Sequence, residues 1–331
     1  MKSVKNRMVL VTGADGFIGS HLTERLVESG AEVRAFCFYN SNGSWGWLDE
    51  APREVKRSLD VRLGDIRDAR FVEEACRGVD TVFHLAALIA IPFSYRAPES
   101  FVDTNINGTL NILEGARRAG CRRVINTSTS EVYGTPADLP IRETHPLQGQ
   151  SPYSASKIAA DKLCEAYHCS FGLPVVTLRP FNTYGPRQSM RAVLPTILVQ
   201  LLSGKRSIAL GNVEPRRDLT FVADTVEGFV RCAEAKGVEG QVIQLGTGRT
   251  ESIREVFETA CRVLGRDAVI KTRNERVRPD KSEVMVLQSD PALARKRLGW
   301  KARVSLEEGI RRTAAWIEPR LGRYAADRYH V

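Results

Sequence analysis

Through the first two thirds of the chain, short β-branched and apolar runs alternate with longer stretches whose apolar positions recur at helical spacing. Residues 8–12, 81–85, 123–127 and 173–178 read as strands, and residues 17–29, 99–119 and 152–171 as helices. Strand, helix and strand at this rhythm predict a parallel sheet with helices on both faces, an α/β doubly wound fold. After Arg179 the pattern changes: Pro180, Pro186, Pro195 and Pro215 lie close together, and residues 207–210 look extended. A strand-like piece returns at 241–245, before helical patterns at 251–263 and 305–317. These segments predict a smaller C-terminal lobe interleaved with the first, without a single linker.

Composition narrows the class. The 331 residues are 43% hydrophobic and 26% charged, close to a globular average, so a disordered chain, a collagen and a disulfide scaffold are excluded. The apolar run at 85–91 is far shorter than the ~20 residues of a membrane span, and the N-terminus shows no secretion signal, so no membrane partner is expected. Seven cysteines with no Cys-x-x-Cys pair fit neither a disulfide framework nor a zinc ribbon and suggest a cytoplasmic protein. An excess of nine positive charges leaves nucleic acid, an acidic surface or a phosphorylated small molecule as partners. The basic residues are scattered among acids, and nucleic-acid binding would want a contiguous basic stripe with stacking aromatics, so no nucleic-acid partner is expected.

The candidate chemistry begins at the first strand. Gly13, Gly16 and Gly19 fall at G-x-x-G-x-x-G spacing between strand and helix. Glycines there allow a tight turn and close backbone approach to a pyrophosphate, which the helix N-terminus favours electrostatically. Asp15, Phe17 and Ile18 share that turn. A dinucleotide fold usually places an acidic residue at the tip of its second strand, but here the tip reads Phe38-Tyr39-Asn40, with no arginine in its place. NAD is therefore expected with NADP left open, Asn40 being the polar candidate at the tip. Asp65, followed by Ile66, either accepts from the adenine amino group or caps the helix before Ala69.

Tyr153 and Lys157 stand four residues apart on one face of a helix, where an ammonium favours the phenolate and so makes Tyr153 a usable base. The strand ending at Thr127 runs into Thr129-Ser130-Glu131, placing hydroxyls and a carboxylate at the ligand-binding edge of the sheet.

Together with His84-Leu85-Ala86-Ala87 and the run from Arg179 to Arg187, these motifs resemble the extended short-chain dehydrogenase/reductase family acting on nucleotide sugars, over almost the whole chain. Thr129-Ser130-Glu131 resembles the triplet of sugar-nucleotide 4,6-dehydratases, with Ser where many members carry Asp. The segments 86–92, 145–153 and 181–189 resemble configuration-retaining NDP-N-acetylglucosamine 4,6-dehydratases of legionaminic acid type pathways.

The resemblance implies a Rossmann domain of residues 1–179 plus about 217–250 and a nucleotide-sugar lobe of about 180–216 plus 251–331. It implies that Tyr153, Lys157 and Thr129 serve C4 oxidation, and that Glu131, with Ser130, serves elimination of water across C5/C6. Hydride then returns to C6, giving a 4-keto-6-deoxy sugar. Leu85, Ala86, Ala87 and Thr127 would join the cofactor site. Asn182, Arg187, Arg217 and Arg278 would hold the diphosphate of a nucleoside-diphosphate sugar, since guanidinium grips phosphate through paired N–H groups. The long helices at 99–119 and 152–171 would form a homodimer bundle.

A UDP-glucuronate decarboxylase or a 4-epimerase of the same family is the rival reading, and a non-catalytic sensor a distant one. Glu131 argues against the epimerase, and the presence of Tyr153 and Lys157 against the sensor. His21 and His84 read as packed residues, Asp224 as a structural charge at a helix start, and no residue spacing suggests a metal.

Overall fold

The computed structural model describes residues 4–273, 276 and 279–324. Seven parallel strands form one sheet: β1 (Met8–Thr12), β2 (Glu32–Phe38), β3 (Leu59–Gly64), β4 (Thr81–His84), β5 (Arg123–Thr127), β6 (Val175–Pro180) and β7 (Val242–Leu245). Their spatial order is β7-β6-β5-β4-β1-β2-β3. The order reverses between β1 and β4, which makes a crevice beyond their C-terminal ends, where such sheets bind ligands. The central strands are buried on both faces: Val9, Leu10, Val11, Val82, Phe83 and Ile125 have no solvent access or nearly none, whereas β3 at the edge carries Asp60 and Arg62 and is only partly buried. The doubly wound α/β fold is thus as the hydrophobic pattern predicts.

Phe17–Glu28 follows β1, and Pro98–Phe101, Val102–Asn107 and Gly108–Arg118 run consecutively between β4 and β5, with a π-helical turn in the middle. Pro152–Phe171 crosses from β5 to β6. It begins in a capping box, with Ser151 Oγ accepting from Ser154 N at 3.1 Å and Ser154 Oγ accepting from Ser151 N at 3.0 Å. That cap fixes where the first helical turn starts, and so where Tyr153 stands.

Past β6 the chain makes short strands: Asn182–Tyr184 beside Leu219–Phe221, Arg216–Arg217 between Glu251–Ser252 and Val286–Leu287, and Ser207–Leu210 beside Val269–Thr272. Helices Val193–Leu202, Ile253–Leu264 and Leu306–Ile317 pack around them. Trp300 is buried and donates its indole N–H to the Asp224 carbonyl at 2.8 Å, fastening this lobe to the helix Val222–Glu234. Asp224 has the structural use expected of it, but toward neighbouring chain: its Oδ2 accepts from the backbone N–H of Arg303 and Val304, each at 2.9 Å. Among the described residues no helix is long and apolar enough to cross a membrane, and no group of three or more His, Cys, Asp and Glu is placed to hold a metal ion.

Candidate active site

The turn after β1 is built for close approach. Gly13 has φ +68°, and a Cβ there would stand 2.8 Å from Ala86 N; a Cβ at Gly19 would stand 2.0 Å from Gly13 O. Gly16 precedes the helix Phe17–Glu28 in extended conformation, and no side chain caps that helix. Its first N–H groups and dipole thus face the crevice unblocked by a side chain, which fits a dinucleotide pyrophosphate. Opposite, Thr12 Oγ1 accepts from the backbone N–H of Leu85 and Ala86, each at 3.2 Å, which ties the segment 85–87 to the turn. Thr12 is in turn hydrogen-bonded to His84 Nδ1 at 2.8 Å. His84, whose Nε2 meets Thr109 Oγ1 at 3.1 Å, is a buried neutral link that burial and the nearby Lys157 push down to about 3. Thr127, at the end of β5, has a buried hydroxyl with no hydrogen-bond partner, a polar group available to a ligand.

The tip of β2 departs from the sequence reading. Asn40 is occupied in its own loop, donating to the carbonyls of Phe38 and Ser44 and accepting from the backbone N–H of Asn42 and Ser44. An acidic group does reach the tip, from the glycine turn: the Asp15 carboxylate accepts from the backbone N–H groups of Asp15 and Phe38, while burial raises its pKa. Asp65 does not cap the helix Ala69–Cys76. Asp68 does, accepting from Arg70 N and Phe71 N, because it stands immediately before the first helical residue. Asp65 instead holds Arg67 in a bidentate pair. Ile66 is buried against Gly108, and its carbonyl accepts from Asn111.

Beyond β5, Thr129 starts a turn over Ser130–Tyr133, and its hydroxyl accepts from Glu131 N at 3.2 Å. The same hydroxyl is hydrogen-bonded to the Tyr153 phenol, so the triplet and the helix Pro152–Phe171 meet at one point. Burial raises the Tyr153 pKa, the Thr129 hydrogen bond opposes this, and the carboxylates of Glu131 and Asp161 add to the rise. Lys157, one turn on, is itself buried, and burial lowers its pKa against the pull of Asp161. Burial thus disfavours the charged form of both Tyr153 and Lys157, and the Thr129 hydrogen bond works the other way at the phenol. Ser130 is buried within the turn.

The diphosphate candidates separate. Asn182 follows β6 and has a buried side-chain oxygen with no partner. Arg217 is buried, with Nη2 3.1 Å from Glu283 Oε1. Arg187 takes φ +70° and pairs through Nη2 with Glu24 at 2.8 Å on the helix Phe17–Glu28, beside His21, whose Nε2 is 3.1 Å from the Pro186 carbonyl oxygen, while its buried Nη1 has no partner. The loop conformation that turns Arg187 inward has no signature in the residue types around it. Arg278 lies outside the described residues.

Two buried carboxylates escaped the sequence reading. Asp161, eight residues past Tyr153, pairs with Arg179 at 2.9 Å and accepts from Ser128 Oγ at 2.7 Å. Asp218 accepts from the backbone N–H and hydroxyl of both Thr247 and Ser289, and from Gly248 N. The helical spacing Tyr153, Lys157, Asp161 was a visible signal for the first.

A glycine turn at the strand-order reversal, facing a Tyr/Lys helix and a Thr-Ser-Glu turn, is an oxidoreductase-type crevice, and the chain from residue 10 to 313 matches the family model for GDP-mannose 4,6-dehydratase. The chain belongs to this family of extended short-chain dehydrogenase/reductases. It is 33% identical to a dTDP-glucose 4,6-dehydratase of an Actinoplanes species, over 93% of this chain and 97% of that one. It is also 33% identical to the UDP-glucose 4-epimerase of Streptomyces lividans, over 88% and 90%. Among solved structures, a dTDP-glucose 4,6-dehydratase from Streptomyces venezuelae with NAD bound superposes with a TM-score of 0.85 at 30% identity, covering 96% of this chain and 99% of that one. A UDP-N-acetylglucosamine 4-epimerase from Methanobrevibacter ruminantium gives 0.86 at 29%, covering 96% and 99%. The protein is an enzyme of the sugar-nucleotide dehydratase and epimerase family.

Proposed function

We propose that the protein is a 4,6-dehydratase of UDP- or GDP-linked N-acetylglucosamine. The observation that carries this reading is Glu131. Its carboxylate has no hydrogen bond or ion pair among the described residues, yet its charge acts on Tyr153. A carboxylate held beside the oxidising tyrosine and not neutralised by a cation suits a proton-transfer group, which a 4-epimerase has no need of.

NAD, when bound, would supply the hydride acceptor at C4 and the hydride donor at C6. Gly13, Asp15, Gly16, Phe17, Ile18 and Gly19 would hold it, with Leu85, Ala86, Ala87, Thr127, Ile66 and Asp65 along the crevice. The Asp15 carboxylate at the tip of β2 favours NAD over NADP, because a 2′-phosphate there would meet a like charge. Tyr153, steadied by Thr129 and with Lys157 beside it, takes the proton of the 4-hydroxyl. The resulting 4-ketone acidifies C5–H; Glu131 removes that proton, and the 6-hydroxyl leaves as water, protonated from Glu131 or from a water ordered by Ser130. A proton is then returned to C5. Asn182 and Arg217 are assigned to the diphosphate, for which Glu283 is the internal partner.

Replacing Glu131 by Gln should stop dehydration while C4 oxidation still appears as reduced cofactor; an unchanged dehydration rate would remove Glu131 from this role. The second reading, a 4-epimerase, is favoured by the names of several relatives and predicts a product of unchanged mass. A homodimer through the helices carrying the exposed Val102 and Leu110, and a cytoplasmic setting consistent with seven free cysteines, belong to the same proposal.

A further inference from the structure

We propose that Tyr95 is a positioning residue for the reaction: through Ser282 it fixes how the residues assigned to the substrate diphosphate stand relative to Tyr153. The inference rests on the proposed assignment of Arg217 to the diphosphate and of Tyr153 to C4 oxidation. Tyr95 closes the short helix Ile91–Ser94 that follows β4, and its phenolic oxygen lies 2.6 Å from Ser282 Oγ, 187 positions away in the second lobe. Ser282 Oγ in turn donates to the Gln150 carbonyl at 2.8 Å. A serine hydroxyl carries one proton, so Tyr95 is the donor in the first bond, and the three groups form a directed chain from Tyr95 to Ser282 to Gln150.

The chain joins two parts of the site. The segment that carries Tyr95 supplies the apolar wall of the reacting tyrosine: Leu88, Ile91 and Phe93 cluster with Phe101 and Tyr153, and the Phe101 ring meets the Tyr153 ring edge-on at 6.2 Å. Gln150 immediately precedes Ser151, whose capping box starts the helix Pro152–Phe171. On the other side Glu283, next to Ser282, meets Arg217 at 3.1 Å, in a pair whose side chains are 14% and 9% exposed. Val286 and Leu287 lie in register beside Arg216 and Arg217. Residues 282–287 therefore run from the hydroxyl chain to the diphosphate side of the crevice.

A sugar nucleotide held by its diphosphate at Arg217 has to present C4 to Tyr153, so slack between the two sides misplaces the reacting carbon. A misplacement of about 1 Å can cost on the order of a hundredfold in rate. Val284, buried with Val132 and Tyr133, holds the segment by apolar packing, which has no direction, whereas hydrogen bonds are directional. Burial does not demand the bond: Tyr95 is 38% exposed, and water would satisfy its hydroxyl equally well. Its value is in the position it sets.

The test compares wild type with Tyr95→Phe, Ser282→Ala and the two combined; Tyr95→Phe removes one oxygen and leaves the ring. First-turnover C4 oxidation of UDP- and GDP-linked N-acetylglucosamine is followed as reduced cofactor, and UDP and GDP binding by calorimetry. Tyr95→Phe should slow C4 oxidation about tenfold while nucleoside-diphosphate affinity stays within about twofold of wild type. The double variant should be no slower than Ser282→Ala, because both substitutions break the same chain. The amides of residues 280–284 should also exchange with heavy water faster in Tyr95→Phe, a readout that needs no turnover. A lower Tm with an unchanged oxidation rate, a double variant that shows the product of the two single losses, or exchange as slow as in wild type overturns the proposal. If the wild type oxidises neither sugar nucleotide, the proposed function falls and this role with it; if it oxidises one and Tyr95→Phe does so equally fast, this proposal alone falls.

Discussion

Gly13→Ala tests the cofactor turn quantitatively. The residue sits at φ +68°, where a side chain costs on the order of 1–2 kcal/mol. The new Cβ would also lie 2.8 Å from Ala86 N, 2.9 Å from Ala86 Cα and 3.1 Å from the Leu85 carbonyl carbon. These are backbone atoms, and the two N–H groups of that segment both donate to Thr12 Oγ1, so the segment can retreat only by giving up hydrogen bonds worth about 1 kcal/mol each. The total is about 3 kcal/mol. Gly172, which ends the helix Pro152–Phe171 at φ +65°, has nothing within 4 Å of a Cβ and incurs the backbone term alone. At about 2 °C per kcal/mol for a chain of this size, Gly13→Ala should lower Tm by about 6 °C and Gly172→Ala by about 2 °C. Calorimetric titration with NAD should show at least about tenfold weaker binding for the first variant, or 1.4 kcal/mol, and no change for the second. Equal Tm losses with unchanged NAD affinity in both would refute the assignment of this turn.

Three further outcomes are expected. Burial alone would raise the Asp80 pKa, but Arg122, Thr81 and Arg7 hold it at about 2, below its ordinary 3.8. A depressed carboxylate stabilises the fold above about pH 4 and loses that contribution as pH falls toward 2. Urea unfolding should therefore show wild type losing about 1–2 kcal/mol more than Asp80→Asn across that window, and parallel curves would contradict it. Arg217→Lys, which loses the paired N–H grip, should raise KM for the sugar nucleotide about tenfold. Arg187→Lys, whose parent guanidinium pairs with Glu24, should lower Tm with KM little changed, and the reverse pattern would exchange their roles. Trp300→Ala should destabilise by about 3–5 kcal/mol through the cavity and the lost bond to the Asp224 carbonyl, and a loss under about 1 kcal/mol in chemical denaturation would show that the lobes are not joined there.

What could be read from the sequence follows from how local each signal is. The strands β1 and β5, the glycine turn and the helix Pro152–Phe171 are written in contiguous residues, with periodicity, capping and turn chemistry agreeing, so their positions were legible to within a few residues. Tyr153 and Lys157 share a helix face by spacing alone. Long-range partners were not legible: Arg187 finds Glu24 across 163 positions, and Asp218 gathers Thr247, Gly248 and Ser289 from two distant loops. The tip of β2 carries no acid of its own, and the group that reaches it comes from another segment of the chain. The structure supplies it as Asp15, from a neighbouring turn. Likewise Asp65 and Asp68 are both plausible caps by composition, and only the point at which the helix begins selects Asp68.

The most direct test of the account is the mass of the product. Incubated in heavy water with UDP- or GDP-linked N-acetylglucosamine and no added reductant, the enzyme should yield a nucleotide sugar that has lost one water and gained one solvent deuterium at C5. An epimer of unchanged mass, or no conversion of either substrate together with loss of carbon dioxide from UDP-glucuronate, would contradict it.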